Sequence, residues 1–169
     1  NQALLTAELR EGRRWAEWTA DELRARGLRV ELAEAQERER LAVAVPVGDG
    51  VSGLFARSDH ELALYGTAVG DLVLEVKSRT VYFSDAASYP YPTALVDTVD
   101  GWEAKQVEPR AVLLVSRPAR RILVVSAATR PRWTTKRARD LARDRVADFY
   151  ECPKSLLASF EWLVAKLLP

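Results

Sequence analysis

The chain has 169 residues, is 48% hydrophobic, and carries 25 basic against 24 acidic side chains for a net charge of +1. That length and apolar content suit one globular domain with a sizeable core, and the near-neutral total excludes a grip on nucleic acid driven by bulk charge alone. Cys152 is the only cysteine and His60 the only histidine, which excludes an internal disulfide, a cysteine-based zinc site and two-histidine chemistry. No apolar run is long enough to span a bilayer and no basic-then-apolar leader opens the residues given, so a cytoplasmic protein is expected.

Residues 3–26 read as a helix from the spacing of Leu4, Leu5, Leu9, Trp15, Trp18 and Leu23, with Gly27 as its C-cap and Gly12 as a point of weakness. Leu28–Leu32 alternates as a strand, the charged stretch Glu34–Arg40 follows, and Leu41–Val47 reads as an apolar strand. Gly48–Gly53 is a turn. Leu62–Tyr65 and Leu72–Val76, joined by G-T-A-V-G, form an expected hairpin with Leu62 opposite Leu74 and Asp59 opposite Lys77. Pro90 and Pro92 exclude regular structure before Leu95. Ala94–Val99, Ala111–Ser116 and Ile122–Ser126 read as strands, with a short helix within 100–109 and a turn at Arg117–Arg120. Residues 134–149 are expected to be a helix opened by Thr134 or Thr135, and Ser155–Leu168 a last one. The order predicts an α/β (α+β) domain with a central mixed sheet flanked by helices. Residues 1–169 form one domain in this reading, with an insertion or extended hairpin at 34–58.

Residues 71–79, DLVLEVKSR, carry the most chemistry. Leu72, Leu74 and Val76 point to one side of a strand, and Asp71, Val73, Glu75 and Lys77 to the other. A carboxylate and an ammonium on a half-buried strand are costly unless paired or bound to something. Glu75 and Lys77 lie about 6.7 Å apart along the strand, and Asp71 lies about 13 Å from Glu75, too far to share a small cation. The expected hairpin instead brings Asp59 back beside Glu75, with Glu61 as the alternative on the same acidic face. Two converging carboxylates favour a divalent cation, and magnesium takes oxygen ligands with several waters. The Val76 carbonyl is a further ligand, and Lys77 stands where it orients or deprotonates an attacking water or neutralises a phosphoryl oxygen.

Asp59 followed by Glu75-Val76-Lys77 resembles the signature of the PD-(D/E)XK nuclease superfamily, and Ser78-Arg79 is a common continuation. Ser58 stands where the named proline would be. Gly12–Glu17, Leu23 and R-A-R-G-L-R-V resemble the first helix and strand of Holliday-junction resolvases and small phage nucleases. The resemblance implies a restriction-endonuclease-like core, a magnesium cofactor that manganese replaces, and hydrolysis of DNA phosphodiesters. It implies that Asp59 and Glu75 hold the metal and that a helix glutamate faces it, with Glu17 ahead of Glu11, Glu8 and Glu22.

Arg79, Tyr82, Arg130, Arg132, Lys136 and Arg137 are the expected substrate contacts, and Tyr89 and Tyr91 border the same cleft. Trp102 and Trp133 are either core aromatics or base-stacking platforms. The expected function is metal-dependent, endonucleolytic and structure-selective cleavage of duplex or branched DNA by a monomer or homodimer. The alternatives are a catalytically inactive DNA-binding protein on the same fold and a protein-interaction module.

Overall fold

A computed structural model describes residues 2–33, 40–44, 71–106, 108–141 and 143–168. Helix α1 (Gln2–Ala25) runs unbroken through Gly12. It stops because Gly27, at φ 93°, takes a left-handed conformation that costs glycine nothing. The Gly27 N–H then reaches the Arg24 carbonyl at 2.9 Å and the Leu28 N–H reaches that of Leu23 at 3.3 Å. This is a Schellman cap, sealed by Leu23 and Leu28 in one core. The Arg24 guanidinium donates to the Val30 carbonyl and ties the helix end to the strand that follows.

That strand, β1 (Arg29–Ala33), pairs antiparallel with β2 (Arg40–Ala44), which pairs antiparallel with β3 (Asp71–Arg79). β3 runs parallel to β5 (Ala111–Ser116), and β5 forms a hairpin with β6 (Arg121–Ser126). The short β9 (Ala158–Ser159) closes a six-stranded mixed sheet of order β1-β2-β3-β5-β6-β9. A second sheet of order β4-β8-β7 is built from β4 (Thr93–Thr98), β8 (Arg145–Pro153) and β7 (Thr134–Asp140). The short helix α2 (Val99–Glu103) follows β4, capped by the Thr98 hydroxyl, which accepts from the Gly101 N–H. The last helix, α3 (Phe160–Leu167), is capped by Ser159.

The alternation of the strands separates two cores. Leu72, Leu74 and Val76 of β3, with Leu113 and Val115 of β5, pack against Trp15, Ala16, Ala20 and Leu23 of α1 and Leu163 and Leu167 of α3. Val112, Leu114, Leu123 and Val125 face the other way, onto Ala94, Val96, Trp102 and Cys152 beneath the second sheet. The fold is thus a mixed sheet flanked by helices, as expected, with a small sheet covering its second face. No described helix is long and apolar enough to cross a membrane.

Two expectations are corrected. Residues 134–149 are not helical: they supply β7 and most of β8, and Asp144, at φ 49°, makes the turn between them. Ala138, Leu141 and Val146 follow a helical spacing, but β8 finds partners on both edges, and Ala147 and Cys152 are buried there. Tertiary pairing overrides local propensity. The last segment is likewise helical only from Phe160, after a single turn at Lys154–Leu156 and the β9 bridge.

A further expectation concerns β3. The arm expected to pair with it, with Asp59, His60 and Glu61, lies outside the described residues, as does most of the proposed 34–58 insertion. Among the described residues, the partners of β3 are β2 and β5. Leu74 faces Leu41 on one edge and Ala111 on the other, and Glu75 faces Arg40 and Val112.

Candidate functional site

Glu75 and Lys77 project from β3 on the face away from α1. The strand is flanked on both edges over Leu74 and Glu75, so the Glu75 side chain is only 1% exposed and needs partners inside the protein. Three cations among the described residues supply them. The Lys105 ammonium lies 3.2 Å from Glu75 Oε1, the Arg40 guanidinium 3.5 Å from the same oxygen, and the Lys77 ammonium 3.9 Å from Oε2.

Asp97 completes the group. It sits on β4 of the second sheet, just past a register shift between Leu95 and Asp97, and its carboxylate meets Lys77 of the first sheet. Its oxygens lie 2.7 Å from Lys105 Nζ and 3.5 Å from Lys77 Nζ. Glu75 and Asp97 therefore share two ammonium groups. Lys105 is the buried one. Its side chain is fully enclosed, and its Nζ lies 5.3 Å from the centre of the Trp102 ring. Burial pushes the Lys105 ammonium below the usual lysine range, and Glu75 and Asp97 push it back up. Lys77, 22% exposed, is the member that meets solvent.

A cavity of about 200 Å³ opens beside this group, lined by Glu75, Val76, Lys77 and Arg79 of β3, Glu8 of α1, Arg117 and Arg143. Arg143 comes from the β7–β8 turn, so the basic hairpin reaches to the mouth of the cavity. Arg117 follows β5, and its N–H donates to the Arg79 carbonyl at 3.0 Å. Glu11 offsets part of its charge at 3.7 Å. Arg79 is held by the Leu95 carbonyl at 3.2 Å, and burial lowers its pKa. It also lines a second cavity with Tyr89, Tyr91 and Lys136.

The expected site residues fall into three groups. Glu75, Lys77 and the Val76 backbone are together at the cavity. Asp59 lies outside the described residues. Glu17 is elsewhere: α1 packs on the Leu72/Leu74/Val76 face, and Glu17 is exposed and paired with Arg13 at 3.5 Å. Helical periodicity puts it about 130° around α1 from the centre of the buried face, whereas Glu8 is near that face and reaches the cavity.

The expected substrate contacts scatter. Arg130 is engaged by Glu103 at 2.6 Å and Glu108 at 3.3 Å, and Arg137 by Asp148 at 3.2 Å. Arg132, Lys136 and Tyr82 are exposed. On a strand, Lys136 and Arg137 point to opposite faces rather than along one helix. Trp102 is buried edge-to-face against Trp133, with ring centres 5.0 Å apart, and belongs to the core rather than to a stacking surface.

Arg40, Asp97 and Lys105 were not anticipated. Asp97 carried a signal: an acidic residue inside an alternating apolar strand is costly for the same reason as Glu75. Arg40 and Lys105 carried none, because only pairing of β2 with β3 and packing of the segment after α2 bring them in.

The resemblance implies magnesium, and the described donors do not fit it as they stand. Two carboxylates already have three cations around them, and a buried ammonium lies between the carboxylates. Among the described residues no group of three or more acidic, histidine or cysteine side chains converges to hold a metal. No protein-family model, curated protein or solved structure matches this chain.

Proposed function

We propose that the chain hydrolyses DNA phosphodiester bonds as a nuclease of the PD-(D/E)XK type, with Glu75 and Lys77 as its reactive pair. One observation supports this reading above the others: an E-x-K pair projects from a central sheet strand into a charged cluster that opens on a cavity rimmed by Lys77, Arg117 and Arg143. The strand spacing directs both side chains to one face, and Glu75 and Asp97 hold the Lys77 ammonium beside the cavity. A phosphate entering there meets the Lys77 ammonium and two guanidinium groups, which suit its charge. Water attack on phosphorus then breaks the bond to the leaving sugar oxygen, with Lys77 beside the oxygen on which charge develops. The cofactor proposal is magnesium. It requires a further acidic ligand, for which Asp59 or Glu61 is the proposal, and withdrawal of Lys105 from between Glu75 and Asp97.

A second reading is a DNA-binding protein that does not cut. It is favoured by the same lysine, since a carboxylate pair already neutralised within the protein has no need of a metal. Cleavage of labelled linear, flap and four-way-junction DNA in magnesium, manganese or chelator separates the two. Hydrolysis that depends on metal and is lost in Glu75→Gln and Lys77→Ala supports the nuclease. Intact DNA in every condition, with retention of DNA on a binding gel, supports the second.

A further inference from the structure

Lys105 sits where its position is hardest to explain by packing alone. It follows α2 in a segment without regular structure, yet its ammonium is wholly enclosed between strands of two different sheets. Its Nζ is within 3.2 Å of a Glu75 oxygen and 2.7 Å of an Asp97 oxygen, and Trp102 closes the side at 5.3 Å. Lys77 touches the same two carboxylates at 3.9 Å and 3.5 Å but keeps its exposure. Two carboxylates on facing sheets repel one another unless a cation stands between them. A hard divalent ion would meet that demand with the same oxygens, and it cannot occupy the space the ammonium fills.

The geometry points to Lys105 as the buried resident cation of the Glu75/Asp97 pair, with Lys77 as its exposed companion, so that removing the buried charge opens the space between the carboxylates to a divalent ion. The inference stands on the cluster alone and not on the hydrolytic reading. A chain that never cuts DNA satisfies it equally well.

The test is titration of the full chain with Mn2+ alone, following free ion by electron paramagnetic resonance, in the wild type, Lys105→Met and the double variant Glu75→Gln/Lys105→Met. Methionine keeps much of the lysine stem and none of its charge. Lys105→Met is expected to bind Mn2+ about tenfold or more tightly than the wild type, because the ammonium that repels the ion from between Glu75 and Asp97 is gone while Lys77 and Arg40 remain. The double variant is expected to lose that gain. Equal or weaker binding by Lys105→Met overturns the assignment, as does a gain that survives in the double variant. Should Lys105→Met be unfolded in chelator, refolding is the readout: recovery of ellipticity and tryptophan fluorescence with Mn2+ supports the inference, and failure with Mn2+ present overturns it. Neither readout involves DNA.

Discussion

Glu75→Gln tests whether the charged cluster holds the two sheets together. Glutamine keeps the shape of the side chain and one carbonyl acceptor, so cavity formation contributes nothing. What changes is charge. Lys105 at 3.2 Å loses an attraction of about 5 kcal/mol at an effective dielectric constant near 20. Arg40 and Lys77 lose smaller ones across 3.5 Å and 3.9 Å. Two terms act the other way: the buried carboxylate no longer needs desolvation, and its repulsion with Asp97 disappears. Removing one member of a buried pair has a net cost of about 3–5 kcal/mol, and the retained carbonyl places this variant near about 3 kcal/mol. With a urea dependence of about 2 kcal/mol per molar, the unfolding midpoint falls by about 1.5 M. The second half of a double-mutant cycle is Lys105→Met, and the double variant is expected to be less destabilised than the two singles added together. A Glu75→Gln protein as stable as the wild type, or more so, refutes the argument. Glu75 would then be a strained group retained for its chemistry at a cost in stability.

Four further outcomes follow from particular groups. On the proposed nuclease reading, Arg143→Ala is expected to lower DNA affinity and flatten its dependence on salt by about one unit of log-log slope, checked by titration at several salt concentrations; an unchanged slope removes the β7–β8 turn from the proposed interface. Burial pushes the Tyr89 hydroxyl above the usual tyrosine range of about 10, against the opposing effect of Arg79. Between those two values the unfolded chain has lost the proton while the native one keeps it, so stability falls as pH rises through that window; Tyr89→Phe should reduce the fall relative to wild type in urea melts at pH 9 and 11. Cys152 is fully buried and burial raises its pKa, so an aromatic disulfide reagent should react slowly with the native protein and fully in denaturant. Gly27→Ala meets only Leu168 Cδ2 at 3.9 Å, so its cost comes from the left-handed backbone, about 1–2 kcal/mol, read as a drop in melting temperature of several degrees.

Elements whose neighbours in sequence were also their neighbours in space were legible from the chain. The α1 stripe, its Gly27 stop, the Arg117–Arg120 turn and the apolar runs of β5 and β6 all express local periodicity or local backbone geometry. So does the two-sided character of β3, which puts Glu75 and Lys77 on the face away from Leu72, Leu74 and Val76. The misread elements had no such local arbiter. Residues 134–149 carry an apolar spacing compatible with a helix, and pairing of β8 with both β7 and β4 made it a strand. For the same reason Lys136 and Arg137 do not share a surface.

The site divides along the same line. An acidic and a basic residue two apart on a buried strand announce that charges must be balanced, and that requirement is a property of the amino-acid order. Which groups balance them is not. Arg40 arrives through the β2–β3 ladder, Asp97 through a different sheet and Lys105 through a turn beyond α2, at separations of 22 to 35 residues from Glu75. Side-chain periodicity reports the environment a residue requires, whereas the partners that meet the requirement come from packing between elements, and that was decided only when the chain folded.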